Sequence, residues 1–378
     1  MIFVSKNSTH TNALFFKITV LAWLLMKIIS WKVWTPNRLI PAVPFFEWTQ
    51  IPEFSYSLFA LSVGLLIYFL ISNSSKYFLF LFLGIEILQL LLDQNRWQPW
   101  EFQFLLTTIF YLSFRNSVHF KSLLLLLLSA TYIFSGLHKF NTGFLESNWG
   151  NLILKNIFGI QNIWKSNDYL FYLGFIIPII ETILGILLLT LKNKIVPISG
   201  LIFMHIFIFL ILSPLGVNYN VVVWPWNILM ALSLFSIYKD EFDYRFQVGF
   251  FKKTYTQFVL VLIFVLPTFN LFGAWEHYLS FGLYSGKNAN ICLCFDISAE
   301  TRSLEPYISK TNKYNFCPNQ SAIFLNKLAL SELKVPIYPE PRTYKFLEKS
   351  FKENYPNTYF QWIYYKPDYT FKLRKELP

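Results

Sequence analysis

Nine apolar runs, most of them about 20 residues long, follow one another between residues 14 and 274. They cover 14–34, 55–72, 76–92, 102–114, 122–139, 169–191, 195–213, 221–238 and 256–274. A bilayer core about 30 Å thick takes roughly 20 apolar residues of helix to cross. A chain that repeats such runs has too little polar face to cover them in water. Hydrophobic residues make 54% of the chain and charged residues 14%, against about 25% charged in an ordinary soluble domain. This excludes a soluble globular enzyme and a disordered chain. No cleavable leader is expected, since the first run starts late and lacks a small-residue cleavage site. That run carries Lys17 and Lys27, which are expected to snorkel to an interface.

Net charge is +11. In a soluble protein this would favour nucleic acid; here it fits loops held on an anionic membrane face, with no nucleic-acid partner. Nine positives, Lys76, Arg115, Lys121, Lys192, Lys194, Lys239, Arg245, Lys252 and Lys253, fall in loops 73–76, 115–121, 192–194 and 239–254. Four, Arg38, Arg96, Lys155 and Lys165, fall in the opposite loops 35–54, 93–101, 140–168 and 214–220. Positive residues in short loops stay cytoplasmic. The expected fold is therefore an all-α polytopic membrane protein of about nine transmembrane helices over 1–274. The expected location is the plasma or inner membrane, with the N-terminus cytoplasmic.

Residues 275–378 are polar and rich in Tyr, Lys, Asn and Pro. They read as a small α+β extracytoplasmic C-terminal domain. Its strands are expected at 290–297 and 358–366 and its helices at 320–333 and 343–351. Cys292, Cys294 and Cys317 lack zinc-site spacing. On an oxidising side a disulfide of Cys317 with one of the other two is expected, because Cys292 and Cys294 are too close for an easy bond; three unpaired thiols are the alternative.

Ionisable residues inside spans are costly, so each is a candidate site. Thr131, Ser135 and Lys139 recur at i, i+4 and i+8 and stack on one helix face. Burial disfavours the charged form of an ammonium, which suits a base; an interfacial, snorkelling lysine is the alternative. Glu181 sits mid-span after Pro178 and needs a partner, Lys139 or His205, or else a proton. His205 lies alone in an apolar stretch with no second His at i+3 or i+4, so no metal site is expected. Glu86, Gln89, Asp93 and Arg96 share one face and run into Trp97 and Trp100, which a helix cap and an aromatic belt explain. Asn227 follows Trp224 and Trp226 and is placed to bond across helices. No nucleotide motif or nucleophile elbow is present.

The segment Tyr132-Ile-Phe-Ser-Gly-Leu-His-Lys-Phe-Asn141 resembles the membrane portion of the vitamin K-dependent gamma-carboxylase and HTTM-type membrane proteins. Glu181–Gly185 and His205 followed by Ser213-Pro214-Leu215 look similar to later family segments, and Trp149 is a loose match to a family tryptophan. The resemblance covers roughly 76–238. It implies a quinone-linked membrane enzyme in which Lys139 is the base, with His205 and Glu181 as further catalytic groups. Thr131, Ser135 and His138 are then the expected contacts of a reduced naphthoquinone of vitamin K type. A protein substrate or partner outside the membrane is implied with it. The alternative class is a non-catalytic membrane scaffold or partner subunit, whose polar residues only pack helices. A transporter ranks last, because no paired halves are visible.

Overall fold

In the computed structural model, residues 6–46, 52–72, 74–160, 166–239, 248–310 and 316–366 are described. All nine apolar runs are helical. Helix α1 spans Lys6–Ile29, and a short α2, Trp31–Trp34, continues its run. Then come α3 (Pro52–Ile71), α4 (Lys76–Leu92), α5 (Pro99–Phe114) and α6 (His119–His138). A wide helical segment α7 follows over Thr142–Phe144 and Leu145–Ile157. Next are α8 (Asp168–Thr190), α9 (Ile195–Leu212), α10 (Val223–Lys239) and α11 (Thr254–Leu271). Among the described residues, six helices are long and apolar enough to cross a membrane: α1, α3, α6, α8, α9 and α11. The other three, α4, α5 and α10, have 17, 16 and 17 residues. Half of loop 239–254, residues 240–247 with Arg245, lies outside the described residues, while Lys239, Lys252 and Lys253 lie within them.

Helix α6 is the axis of the bundle. Its span is 78% buried, whereas those of α3, α8 and α11 are 28% buried and present Leu, Ile and Phe outward. The tightest neighbour of α6 is α8, and glycines allow the approach. A Cβ on Gly136 would lie 2.9 Å from the Pro178 carbonyl and clash with Thr182. One on Gly185 would lie 2.9 Å from the Ile133 backbone nitrogen. Small residues let helix backbones meet closely where no apolar driving force distinguishes helix from lipid.

The first span corrects one expectation. Lys27 does not snorkel: it is fully buried, 2.7 Å from Glu86 Oε2 and 3.3 Å from the Trp34 ring centre. Ser62 donates to the other Glu86 oxygen at 2.5 Å, and Trp23 Nε1 donates to Glu101 at 2.7 Å. The polar face of α4 is therefore a buried network and more than a cap. Gln89 donates to the Leu58 carbonyl, and Asp93 pairs with Arg38 at 2.7 Å.

The C-terminal region holds a three-stranded antiparallel sheet in the order β2-β1-β3: β1 is Asn290–Phe295, β2 Ser321–Phe324 and β3 Gln361–Tyr365. Helices α12 (Leu325–Glu332) and α13 (Pro341–Asn354) complete it. The helix expected from residue 320 thus begins at Leu325, because Ser321–Phe324 pairs with Cys292–Phe295. Cys292 and Cys294 share one face of β1, and Cys294 is joined to Cys317. Cys292 is a buried free thiol, with Sγ 3.8 Å from that of Cys317, and burial raises its pKa to about 11.

This region is tied to one end of the helices by polar contacts. Glu332 accepts from the Leu39 nitrogen at 2.6 Å, and Asn95 accepts from the Tyr338 nitrogen at 3.1 Å. Arg342 Nε donates to Gln94 Oε1 at 2.5 Å, and within the region the same side chain grips Glu276 with both terminal nitrogens, at 2.7 and 2.8 Å. His277 is buried behind these contacts. Its Nδ1 bonds Asn270 at 3.2 Å and its Nε2 bonds the Ser285 hydroxyl at 2.8 Å. Asn270 Oδ1 can only accept, so Nδ1 carries the proton and Nε2 accepts. Burial, with His138 and Lys287 nearby, lowers the His277 pKa to about 3. A folded value below the unfolded 6.5 means stability is complete above pH 6.5 and lost as pH falls toward 3. The slope from this residue is about 1.4 kcal/mol per pH unit. Thermal unfolding midpoints of the wild type are expected to drop between pH 6.5 and 4, with a flatter profile in His277→Gln.

Candidate functional site

Close contact of α6 with α8 brings Lys139 and Glu181 together. Lys139 caps α6, with its Nζ 2.5 Å from Glu181 Oε2 and 2.9 Å from Ser135 Oγ. The stripe seen in the sequence thus delivers Ser135 beneath the ammonium, one turn back. Thr131 does not join it, because its hydroxyl bonds back to the Leu127 carbonyl at 2.8 Å. Of the two partners weighed for Glu181, Lys139 takes the place. The side chains are 11% and 6% exposed, so the pair is largely screened from solvent.

The pair forms the polar end of a cavity of about 290 Å³. The rest of the wall is mainly apolar and comes from α7, α8 and α9, including Ile180, Met204, Phe207 and Ile208, with Tyr284 at one edge. Phe203 and Ile180, both lining residues, are 70% and 50% exposed on the outer face of α9 and α8. The cavity therefore opens toward the apolar surface of the bundle. Asn148 fixes the segment carrying Tyr284 by donating to the Tyr284 carbonyl at 2.9 Å, and Asn220 donates to its hydroxyl at 2.6 Å.

His205 does not line this cavity. It lies buried between α6 and α10, where Nε2 meets the Tyr132 hydroxyl at 2.8 Å and Nδ1 meets Asn227 Oδ1 at 2.9 Å. Asn227 Oδ1 accepts, so Nδ1 donates, and Nε2 is left to accept from Tyr132. Both nitrogens are thus used in a chain crossing three helices. His138 is not among the residues lining this cavity either. Its buried ring packs against His277, with ring centres 5.2 Å apart. Of Lys139, Glu181 and His205, the first two line this cavity.

Sequence reasoning missed Asn148, Tyr284 and the glycines at 136 and 185 as site-building residues. The glycines carried a readable signal, one small residue on each of two apolar helices near an ionisable group. Tyr284 had none, since it reaches the cavity from a loop 145 positions beyond Lys139.

Among the described residues, the one cluster with metal-ligand chemistry is Cys292, Cys294 and Cys317, whose sulfurs lie within 4.8 Å of one another. The disulfide occupies two of the three. No protein family, curated protein or solved structure matches this chain.

Proposed function

We propose that this chain is an integral membrane protein that takes an apolar ligand with a polar, proton-bearing head from the bilayer into the Lys139–Glu181 cavity. The observation carrying this reading is a paired ammonium and carboxylate at the end of an apolar cavity open to the outer helix surface. Its volume lies at the low end of small-molecule sites, roughly 300 to 1,000 Å³. That suits a ring system whose tail stays in lipid. A reduced naphthoquinone, the cofactor implied by the resemblance around Tyr132–Asn141, fits this description. In such a complex Glu181 accepts the hydroxyl proton and the Lys139 ammonium stabilises the oxyanion left behind. Ser135 positions the ammonium. On this reading the protein is a quinone-linked membrane enzyme related to the gamma-carboxylases, and the C-terminal region is where a protein substrate would meet it.

We also propose nine spans, with the N-terminus cytoplasmic and the C-terminal region outside. The loop charges support this orientation, and so does the disulfide, which belongs on an oxidising side.

A second reading is a non-catalytic scaffold. The Tyr132–His205–Asn227 chain favours it, since it cross-links helices without facing any cavity. Titrating purified protein with a reduced naphthoquinone separates the two. The wild type is expected to bind, and Met204→Trp, which fills the cavity, is expected to lose binding while keeping its unfolding midpoint. Equal binding by both proteins, or by neither, would leave the scaffold reading standing.

A further inference from the structure

A second cavity, of about 380 Å³, lies where the C-terminal region meets the helices. Its wall includes Thr35, Arg38, Ser55, Arg96 and Ser350, with the exposed Glu353 at the rim. Three features set its chemistry apart from the Lys139 cavity.

Both arginines are 98% buried, with side chains only 2% exposed. Arg38 pairs with Asp93 at 2.7 Å and donates to the Val33 carbonyl. Arg96 donates to the carbonyls of Val33 and Gln89, and its Nε stays 3.9 Å from Asp93. One carboxylate, Asp93, faces both guanidiniums, and the buried Glu86 and Glu101 act on Arg96 from farther off. Each guanidinium has five N–H donors, and these contacts use two on each. Burial outweighs the pull of Asp93 and lowers the Arg96 pKa to about 10. Finally, the Thr35 hydroxyl is buried in the same wall and has no hydrogen-bond partner. A buried hydroxyl left without a partner is costly, and an acceptor placed in the cavity would remove that cost.

We propose that this cavity binds a phosphate-type oxyanion, held by Arg38 and Arg96 and receiving a hydrogen bond from Thr35. Arginine is the side chain best matched to such a group, because its planar fork meets two oxygens at once. The anion would supply an acceptor for the Thr35 hydroxyl and for the guanidinium donors left over. It has two sources, a lipid headgroup at the membrane surface and free phosphate in solution.

The test is thermal unfolding of the full chain in phosphatidylcholine nanodiscs, with inorganic phosphate replacing chloride at constant ionic strength. The midpoint is expected to rise and saturate with phosphate, as ligand binding to the folded state requires. Thr35→Val should need about tenfold more phosphate for the same rise. Without phosphate its midpoint should equal or exceed that of the wild type, since an unpartnered hydroxyl has been removed. In phosphatidylglycerol nanodiscs, a midpoint already raised and insensitive to added phosphate assigns the site to a headgroup. A rise with phosphate in both lipids assigns it to the free anion. No rise under any of these conditions, or a Thr35→Val protein that responds as the wild type does, would overturn the proposal.

Discussion

Replacing Lys139 with Met is expected to destabilise the protein by about 3–5 kcal/mol, because it leaves Glu181 buried without its partner. Glu181→Leu is expected to do the same by stranding the ammonium. The double variant Lys139→Met/Glu181→Leu should recover most of the loss, since a buried pair is often replaceable by apolar residues of similar volume. Unfolding midpoints in nanodiscs give the three values. The double variant is also where structure and function part. It folds on either reading, yet it has neither an acceptor for the ligand's proton nor a cation for its oxyanion. A double variant that still binds a reduced naphthoquinone as the wild type does would remove the pair from the function.

The second large effect is expected at the helix contact. A Val at Gly136 places atoms against the Pro178 carbonyl and Thr182, where backbone cannot yield as a long side chain can. Overpacking of this kind costs about 1–3 kcal/mol and at times more. The strain should separate α6 from α8 and open the Lys139–Glu181 pair, so ligand binding should fall together with the midpoint. Gly64→Val serves as the control, because a Cβ at Gly64 meets nothing within 4 Å. Equal tolerance at both positions would mean that the close approach is not needed.

Apolar length placed the helices well, since a run of about 20 apolar residues has few other stable states in a bilayer. It placed polar partners less well. Lys27 reads as a residue free to reach an interface, and only packing shows that Glu86 and Trp34 enclose it. Glu181 could have met Lys139 or His205, because the choice depends on how α8 is rotated against α6. The glycines set that rotation, and neither charge nor hydropathy reports it. Likewise, Ser321–Phe324 reads as the start of a helix until a strand partner is available at Cys292–Phe295. The cysteines were half legible. Spacing pointed to Cys317 as one partner, while the choice of Cys294 over Cys292 rests on strand register.

The most direct measurement of the cavity's role is photolabelling in bilayers with an azido-naphthoquinone, reduced before illumination and mapped by mass spectrometry. Label is expected on the α8 and α9 residues that line the Lys139–Glu181 cavity, Ile180, Phe203 and Phe207 among them, and excess unlabelled naphthoquinol should suppress it. Label spread over the outer faces of other helices, unchanged by the competitor, would contradict it.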